Sequence, residues 1–321
     1  MSADVVIRRM TEADVPAADR IFRAAFGTFL GLRDPSAFAG DTDYVGTRFR
    51  GEPEAAFVAE VDGEVVGSNL AIRRGSVAFF GPLSVDPTRW EGGFAKRLVA
   101  ATVDVFDRWG TTHAGLFTFS QSAKHVALYQ KFGFWPDSLM AAMAYPMAKL
   151  APIGASRDAG SFALLSAMEK GEAEDALAAC RALAGSIHPG LDATREMELA
   201  LRFGLGDVVL LQDGGSLRAF ALCHCGAGSE AGSGACFAKF ALVRPGPGDA
   251  EAFDRLLDAC VAMATARGLA HLVVGVSLGS RAAYRRLLQR GFRTELQGVA
   301  MHRPDEPAYH SRDLYVLDDW R

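Results

Sequence analysis

Two glycines and three cations stand together in the run Pro87-Thr-Arg-Trp-Glu-Gly92-Gly93-Phe-Ala95-Lys96-Arg97. Glycine lets backbone approach an anion closely, and the first turn of a helix offers unpaired N–H groups at the positive end of its dipole. A helix beginning there would suit a pyrophosphate, with Arg89, Lys96 and Arg97 reaching toward a further phosphate. Two glycines before a helix can equally be a tight turn with no ligand. Cys223-His224-Cys225 has metal-binding residue types, but it ends the alternating run Leu217 to His224. Period 2 puts both sulfurs on one strand face and the imidazole on the other, so strand packing is expected there and no metal.

The elements that would hold the glycine turn occur twice. Val85-Asp-Pro87 and Val243-Arg-Pro245 lie 158 residues apart, as do Gly133-Phe134 and Gly291-Phe292. At the same offset Phe79, Arg97, Leu98, Val103, Gly110, His113, Ser122, Ala142, Met143 and Pro146 meet Phe237, Arg255, Leu256, Val261, Gly268, His271, Ser280, Ala300, Met301 and Pro304. Matches at strand ends, helix faces and glycine stops point to duplication. Upstream the offset falls to 151, where Asp62-Gly63 meets Asp213-Gly214, so seven residues enter the second copy. The glycine-rich run Gly226 to Gly234 is the place expected for them, a loop by composition.

Each copy reads as an opening strand (Val5 to Arg8; Phe162 to Leu165), helices, a hairpin turning at Asp62-Gly63 or Asp213-Gly214-Gly215, and a strand ending in Val-x-Pro. A helix, a strand (Ala114 to Phe119; His271 to Val276), another helix and a last strand after Gly-Phe complete it. The stripe Phe94, Ala95, Leu98, Val99, Thr102, Val103 and Phe106 is core at helical spacing, matched by Phe253, Leu256, Leu257, Cys260, Val261 and Ala264. Two domains are therefore expected, residues 1–148 and 160–321, joined by a linker at 149–159. The tail from Asp305 to Arg321 reads as one further strand that ties the halves together.

Composition removes several classes. With 321 residues, 50% hydrophobic and 22% charged, the chain can bury a large core. Lys+Arg 34 against Asp+Glu 38, net charge -4, gives no electrostatic pull toward nucleic acid or an anionic membrane. The start has no apolar run after a basic stretch, no run of apolar residues is long enough to span a bilayer, and five cysteines argue against a disulfide framework. A cytoplasmic protein is expected.

The order strand, Val-x-Pro, glycine turn, helix, strand, and then Ser122-Ala-Lys-His-Val-Ala-Leu-Tyr129-Gln-Lys-Phe-Gly133-Phe134, resembles the GCN5-related N-acetyltransferase (GNAT) family. Gly93 and Ala95 match the last two anchors of that family's phosphate turn, while Trp90 stands where Arg or Gln is usual. The resemblance implies an α/β (α+β) fold of two tandem domains, each a mixed, mostly antiparallel twisted sheet flanked by helices. It implies acetyl-CoA as co-substrate, held by Trp90, Glu91, Gly92, Gly93, Phe94, Ala95 and Lys96, by backbone at Leu83 and Val85, and by Ser122 and Tyr129. Trp90 would keep the backbone role of its position and lose the side-chain one. Tyr129 would protonate the departing thiolate, although the same ring could be helix packing, and Ser122 could instead cap its helix.

No Asp or Glu occurs between Val77 and Val85, so the acidic base of some relatives is missing; His125 shares a helix face with Tyr129. In the second copy Glu251 replaces the anchor glycine, Asp249 adds a charge and Leu287 stands for Tyr129, which implies a silent copy. Walling the acceptor site, homodimerisation or a separate ligand remain open to it. The expected activity is acyl transfer, most simply acetyl, to a primary amine of a small molecule or peptide in a ternary complex. An acyl-CoA sensor without turnover is the alternative, and a mycothiol synthase-like enzyme a further one. The acceptor pocket is expected at Gly27 to Tyr44, where Asp34, Asp41 and Asp43 would suit a cationic amine or belong to a solvated loop.

Overall fold

The computed structural model describes residues 5–147, 162–318 and 320; the expected linker, 149–159, lies outside them. The first half runs β1 (Val5–Arg9), α1 (Val15–Phe29), α2 (Tyr44–Gly51), β2 (Ala56–Val61), β3 (Glu64–Arg74), β4 (Val77–Phe80), β5 (Ser84–Val85), α3 (Phe94–Arg108), β6 (His113–Thr118), α4 (Ala123–Gln130) and β7 (Trp135–Pro146). The second runs β8 (Phe162–Leu164), α5 (Lys170–Ile187), α6 (Thr194–Arg202), β9 (Gly206–Asp213), β10 (Ser216–Gly226), β11 (Gly232–Val243), α7 (Asp249–Ala266), β12 (His271–Ser277), α8 (Arg281–Gln289), β13 (Arg293–Arg303) and β14 (Val316–Leu317).

Local chemistry explains most of these boundaries. Asp62 and Gly63 both take positive φ, 51° and 83°, which matches the mirror-image turn whose twist suits a two-residue hairpin between β2 and β3. Pro16 opens α1, where a missing N–H costs nothing, and Ala18 and Phe22 turn inward to meet Val58 and Leu70. On α3, Phe94, Leu98, Val99 and Phe106 are buried against Phe57, Val66 and Phe80. Phe253, Leu256, Leu257 and Cys260 of α7 repeat that packing in the second half.

The fold is mixed α/β, one large mixed sheet flanked by helices, in the order β1-β2-β3-β4-β6-β13-β7-β12-β11-β10-β9-β8. The two halves exchange their last strands. β13 lies against β6 of the first half, β7 lies against β12 of the second, and β7 and β13 pair with each other at the centre. The registers coincide under the 158-residue offset: Ala114 meets Arg303 and Thr118 meets Val299, while Leu272 meets Tyr145 and Val276 meets Ala141. An approximate twofold axis therefore passes between β7 and β13.

The tail supplies one short strand, not the longer one that its apolar stretch suggests. β14 pairs with β11, and Trp320 beyond it is buried against Gly115 of β6, where a Cβ would lie 2.2 Å from the indole ring. Asp318 binds Arg74 of β3 at 2.5 Å. The tail thus touches both halves, and among the described residues no helix is long and apolar enough to cross a membrane.

Candidate active site

At the glycine turn the chain makes a short 3₁₀ piece, Pro87–Arg89, fixed by Asp86, whose carboxylate accepts from the Thr88 N–H at 2.8 Å. Glu91 and Gly93 both take left-handed φ, 73° and 76°, and Gly93 is the residue before α3. A Cβ on Gly93 would meet nothing within 4 Å, so the space over the helix start is open. A Cβ on Gly92 would sit 2.3 Å from the Phe94 ring, so this glycine makes room for an anchor of the core. Phe94 is buried and Ala95 half-buried, so toward solvent this turn presents mainly backbone N–H groups, with Lys96 and Arg97 exposed beside them. Glu91, the acid beside Gly92, pairs with Lys124 at 3.2 Å in an exposed contact.

Beside the turn the sheet splits. β4 and β6 run parallel from Val77/His113 to Phe79/Gly115, after which β5 stays with β3 and leaves β6. The Asp86 N–H bonds the Val66 carbonyl at 2.9 Å, so alternation turns the Val85 N–H and carbonyl away from β3, toward the split. Leu83, two residues earlier, shares that orientation by the same alternation. The Val85 carbonyl is already engaged: it accepts from the indole Nε1 of Trp90 at 2.9 Å, although Trp90 is 42% exposed.

Tyr129 of α4 lines the same region from the β6 side. Its ring is 6% exposed and packs edge-on to Phe80 at 5.7 Å. Burial pushes the phenol pKa up, a hydrogen bond with Thr118 at the end of β6 opposes the shift, and the net result is a phenol firmly neutral at pH 7. This placement gives the ring the packing role that was the alternative expectation for it, against Phe80. Ser122 precedes α4, and its hydroxyl makes no capping bond; the helix start is held by the Ser122 carbonyl, which accepts from His125 and Val126. His125 is half-buried against Phe29 at 5.4 Å, and burial, then the neighbouring Lys124 charge, lowers its pKa and keeps it neutral.

The three aspartates expected near the acceptor are committed elsewhere. Asp34 accepts from Ser36, Asp43 caps α2 through the Gly46 N–H at 2.7 Å, and Asp41 accepts from the Ser233 N–H at 2.8 Å. They shape the loop and dock it to the second half, so a free acidic patch for an amine is not what they form. What lies over Phe26, Phe29 and Phe38 instead is aromatic: Phe29 stacks on Phe119 at 5.0 Å and Phe26 on Phe38 at 5.4 Å.

A buried charge network went unforeseen. Glu230, 3% exposed, comes from the glycine-rich run that composition marks as a loop, and it binds Arg48 at 3.1 Å and Lys239 at 2.7 Å. Burial works against its charge, but Arg48 and Lys239 prevail and hold its carboxyl well below the usual range. Lys239 continues to Glu196 at 3.2 Å, Glu196 to Arg74, and Arg74 to Asp318, which accepts from the Tyr309 hydroxyl at 2.5 Å. Arg48 also donates to the Gly81 carbonyl at 2.5 Å, at the point where β4 gives way to β5, so the network braces the split from the second half. The signal available in sequence was Lys239, a lone cation in the apolar strand Cys236 to Val243. A separate small hollow of about 30 Å³ between α2 and α6 is walled in part by paired charges, Arg195 with Glu52 at 3.2 Å among them.

In the second half, α7 starts after Gly248, φ 76°, three residues ahead of the position equivalent to Gly93, and Asp249 and Glu251 fall in its first turn. Leu287 is fully buried where Tyr129 has its counterpart. Cys223 and Cys225 lie in β10 with His224 turned to the opposite face, as the alternation requires. The described residues contain no group of three or more His, Cys, Asp or Glu arranged to hold a metal ion.

Residues 19–134 match the model of the Acetyltransferase (GNAT) family. This stretch is a GNAT domain. Solved structures extend the likeness of fold to nearly the whole chain. A Pyrococcus horikoshii protein assigned as an acetyltransferase is 13% identical, with a TM-score of 0.68 over 98% of this chain and 95% of that one. A GCN5-related N-acetyltransferase from Sphaerobacter thermophilus is 17% identical, with a TM-score of 0.61 over 93% and 95%. One from Anabaena variabilis is 12% identical at 0.55, over 93% and 72%. No curated protein matches the chain in sequence. The GNAT match covers the glycine turn, the split and Tyr129, all within the first half.

Proposed function

We propose that the GNAT domain transfers an acyl group, most simply acetyl, from the CoA thioester to a primary amine by direct attack in a ternary complex. The observation that carries this reading is the open start of α3 at Gly93, next to the split between β5 and β6. The open space at Gly93 fits a pyrophosphate, which would be met by backbone N–H groups from Gly93 to Lys96, with Arg89, Lys96 and Arg97 exposed for a further phosphate. Backbone at Leu83 and Val85 would pair with the amides of the pantetheine arm as a strand edge pairs with a peptide. Tyr129, neutral because buried, can donate its proton or a strong hydrogen bond to the sulfur as the C–S bond breaks. His125, neutral for the same reason, can take the proton of the attacking amine directly or through water.

A second reading, CoA binding without turnover, draws on one observation: the indole of Trp90 holds the Val85 carbonyl that the arm would use. We further read residues 1–148 and 160–321 as duplicated units, supported by β-registers that repeat at the 158-residue offset. The deciding experiment is a thiol-release screen with acetyl-CoA and longer acyl donors against amino acids, polyamines, aminoglycosides and peptides. Release with an amine supports the enzyme; CoA binding with no release from any acceptor supports the sensor.

A further inference from the structure

The second half has a split of its own, and it is filled. β11 and β12 run parallel from Ala235/His271 to Ala238/Val274 and then diverge, as β4 and β6 do at positions 158 residues earlier. Into this gap comes the tail. Ala241 pairs with Leu317 and Leu242 with Val316, and the Val243 N–H donates to the Tyr315 carbonyl at 3.1 Å. On its other edge β11 bonds β10, with the Arg244 N–H on the Arg218 carbonyl, so Ala241 and Val243 are the residues whose backbones face the tail.

Ala241 and Val243 stand 158 residues beyond Leu83 and Val85, the two positions whose backbones face the first split. One edge is left to the Trp90 indole; the other is occupied by peptide. Val316 and Leu317 are each 1% exposed, and the Tyr315 ring rests on Phe253 of α7 at 4.9 Å. We propose that the second cleft is a peptide-binding slot whose ligand is the chain's own strand Tyr315 to Leu317, seated where a pantetheine arm would lie, so that each chain holds a single acyl-CoA. This rests on the reading of the first split as the acyl-CoA cleft.

The substitution is chemically direct. A strand edge recognises an extended row of alternating N–H and C=O groups without regard to side chains, and both a peptide and a pantetheine arm present amides in extended form. The peptide has the advantage of tethering, which makes its binding intramolecular. At the far end of the slot, Asp249 and Glu251 in the first turn of α7 oppose a phosphate. Apolar packing of Val316 and Leu317 completes what the lost phosphate site would have supplied.

Amide exchange in the full chain, with coenzyme A as the probe, tests this. Without CoA the Val243 amide should exchange at least about 100-fold more slowly than that of Val85, because opening it requires the tail to leave. Adding CoA should slow Val85, leave Val243 unchanged and saturate at one equivalent. In Leu317→Asp, Val243 should speed up while CoA affinity holds within twofold. Val243 exchanging as fast as Val85 in the free chain, two equivalents of CoA, or faster Val243 exchange on adding CoA would each overturn the proposal. If CoA does not bind at all, the acyl-CoA reading of the first split falls, and Val243 in the free chain still decides whether the second is filled.

Discussion

Replacing Gly115 by alanine should destabilise this protein only while Trp320 is in place. The new Cβ would lie 2.2 Å from the indole, far inside contact distance, and Gly115 has no positive φ that would add strain of its own. Overpacking of this kind costs about 1–3 kcal/mol. Trp320 is 1% exposed, its Nε1 donates to the Tyr309 hydroxyl at 2.8 Å, and its ring lies 4.7 Å from those of His302 and His310. Truncating it to alanine should cost about 3–5 kcal/mol, since the rings around it come from β13 and from the segment that follows it and cannot all collapse into the hole. In the double variant the Gly115→Ala methyl enters the vacated space, so the pair should cost about as much as Trp320→Ala alone. Urea unfolding of the four proteins at constant m reads the cycle. An interaction of about 1–3 kcal/mol is expected, and additivity within about 0.5 kcal/mol would refute the packing described between tail and β6.

Three further outcomes follow from the site and its surroundings. Trp90→Phe keeps a ring but frees the Val85 carbonyl, so the Kd for CoA in a calorimetric titration should fall by about two- to tenfold, the worth of one hydrogen bond; a higher Kd would mean that the indole assists binding. Tyr129→Phe should lower kcat by about 100-fold or more with CoA affinity unchanged, and an unaltered kcat would leave the ring a packing role only. Burial, reinforced by His302 and by Lys239 respectively, lowers the pKa of His113 to about 3 and of His224 to about 4, and burial against the pull of Asp137 holds His302 at about 4. Because these folded values lie below the unfolded one, stability is complete above about pH 6.5 and falls as the pH drops, at about 1.4 kcal/mol per unit for each histidine. Glu52, raised to about 7 by burial, acts in the opposite sense over the same range. With His310, buried beside His302 and lowered in the same way, counted in, stability read from urea unfolding should fall by at least about 3 kcal/mol between pH 7.5 and 5.5, and equal stability would show that these imidazoles are not buried as described.

The sequence was readable wherever a local rule acts alone. Asp62-Gly63 dictates its hairpin because few residues tolerate two left-handed conformations in a row, and the stripe from Phe94 to Phe106 has only one face to bury. Strand exchange could not be read, because the copies share residues in and beside β7 and β13 at matched positions and nothing local assigns either strand to one sheet. Ala142, Met143 and Pro146 answer to Ala300, Met301 and Pro304, so local pattern fits either strand to either sheet. The role of Glu230 was hidden by its neighbours: Gly226 to Gly234 is loop by composition, yet Ser229 and Glu230 fold inward onto α2. Trp90 was visible as a departure from the family's turn, but its bond to Val85 depends on a five-residue closure that no spacing rule describes.

The exchanged strands also set a timetable for synthesis. When β7 has been made, β6 still lacks the neighbour it will have in the finished sheet, because that neighbour, β13, lies about 150 residues further along the chain. At roughly 5–20 residues per second a ribosome needs about 7–30 s to reach it, long compared with the formation of helices and hairpins. Throughout that interval the first half, GNAT turn included, lacks the final partner of the edge from Ala114 to Thr118, and β7 lacks its own final neighbours, β12 and β13.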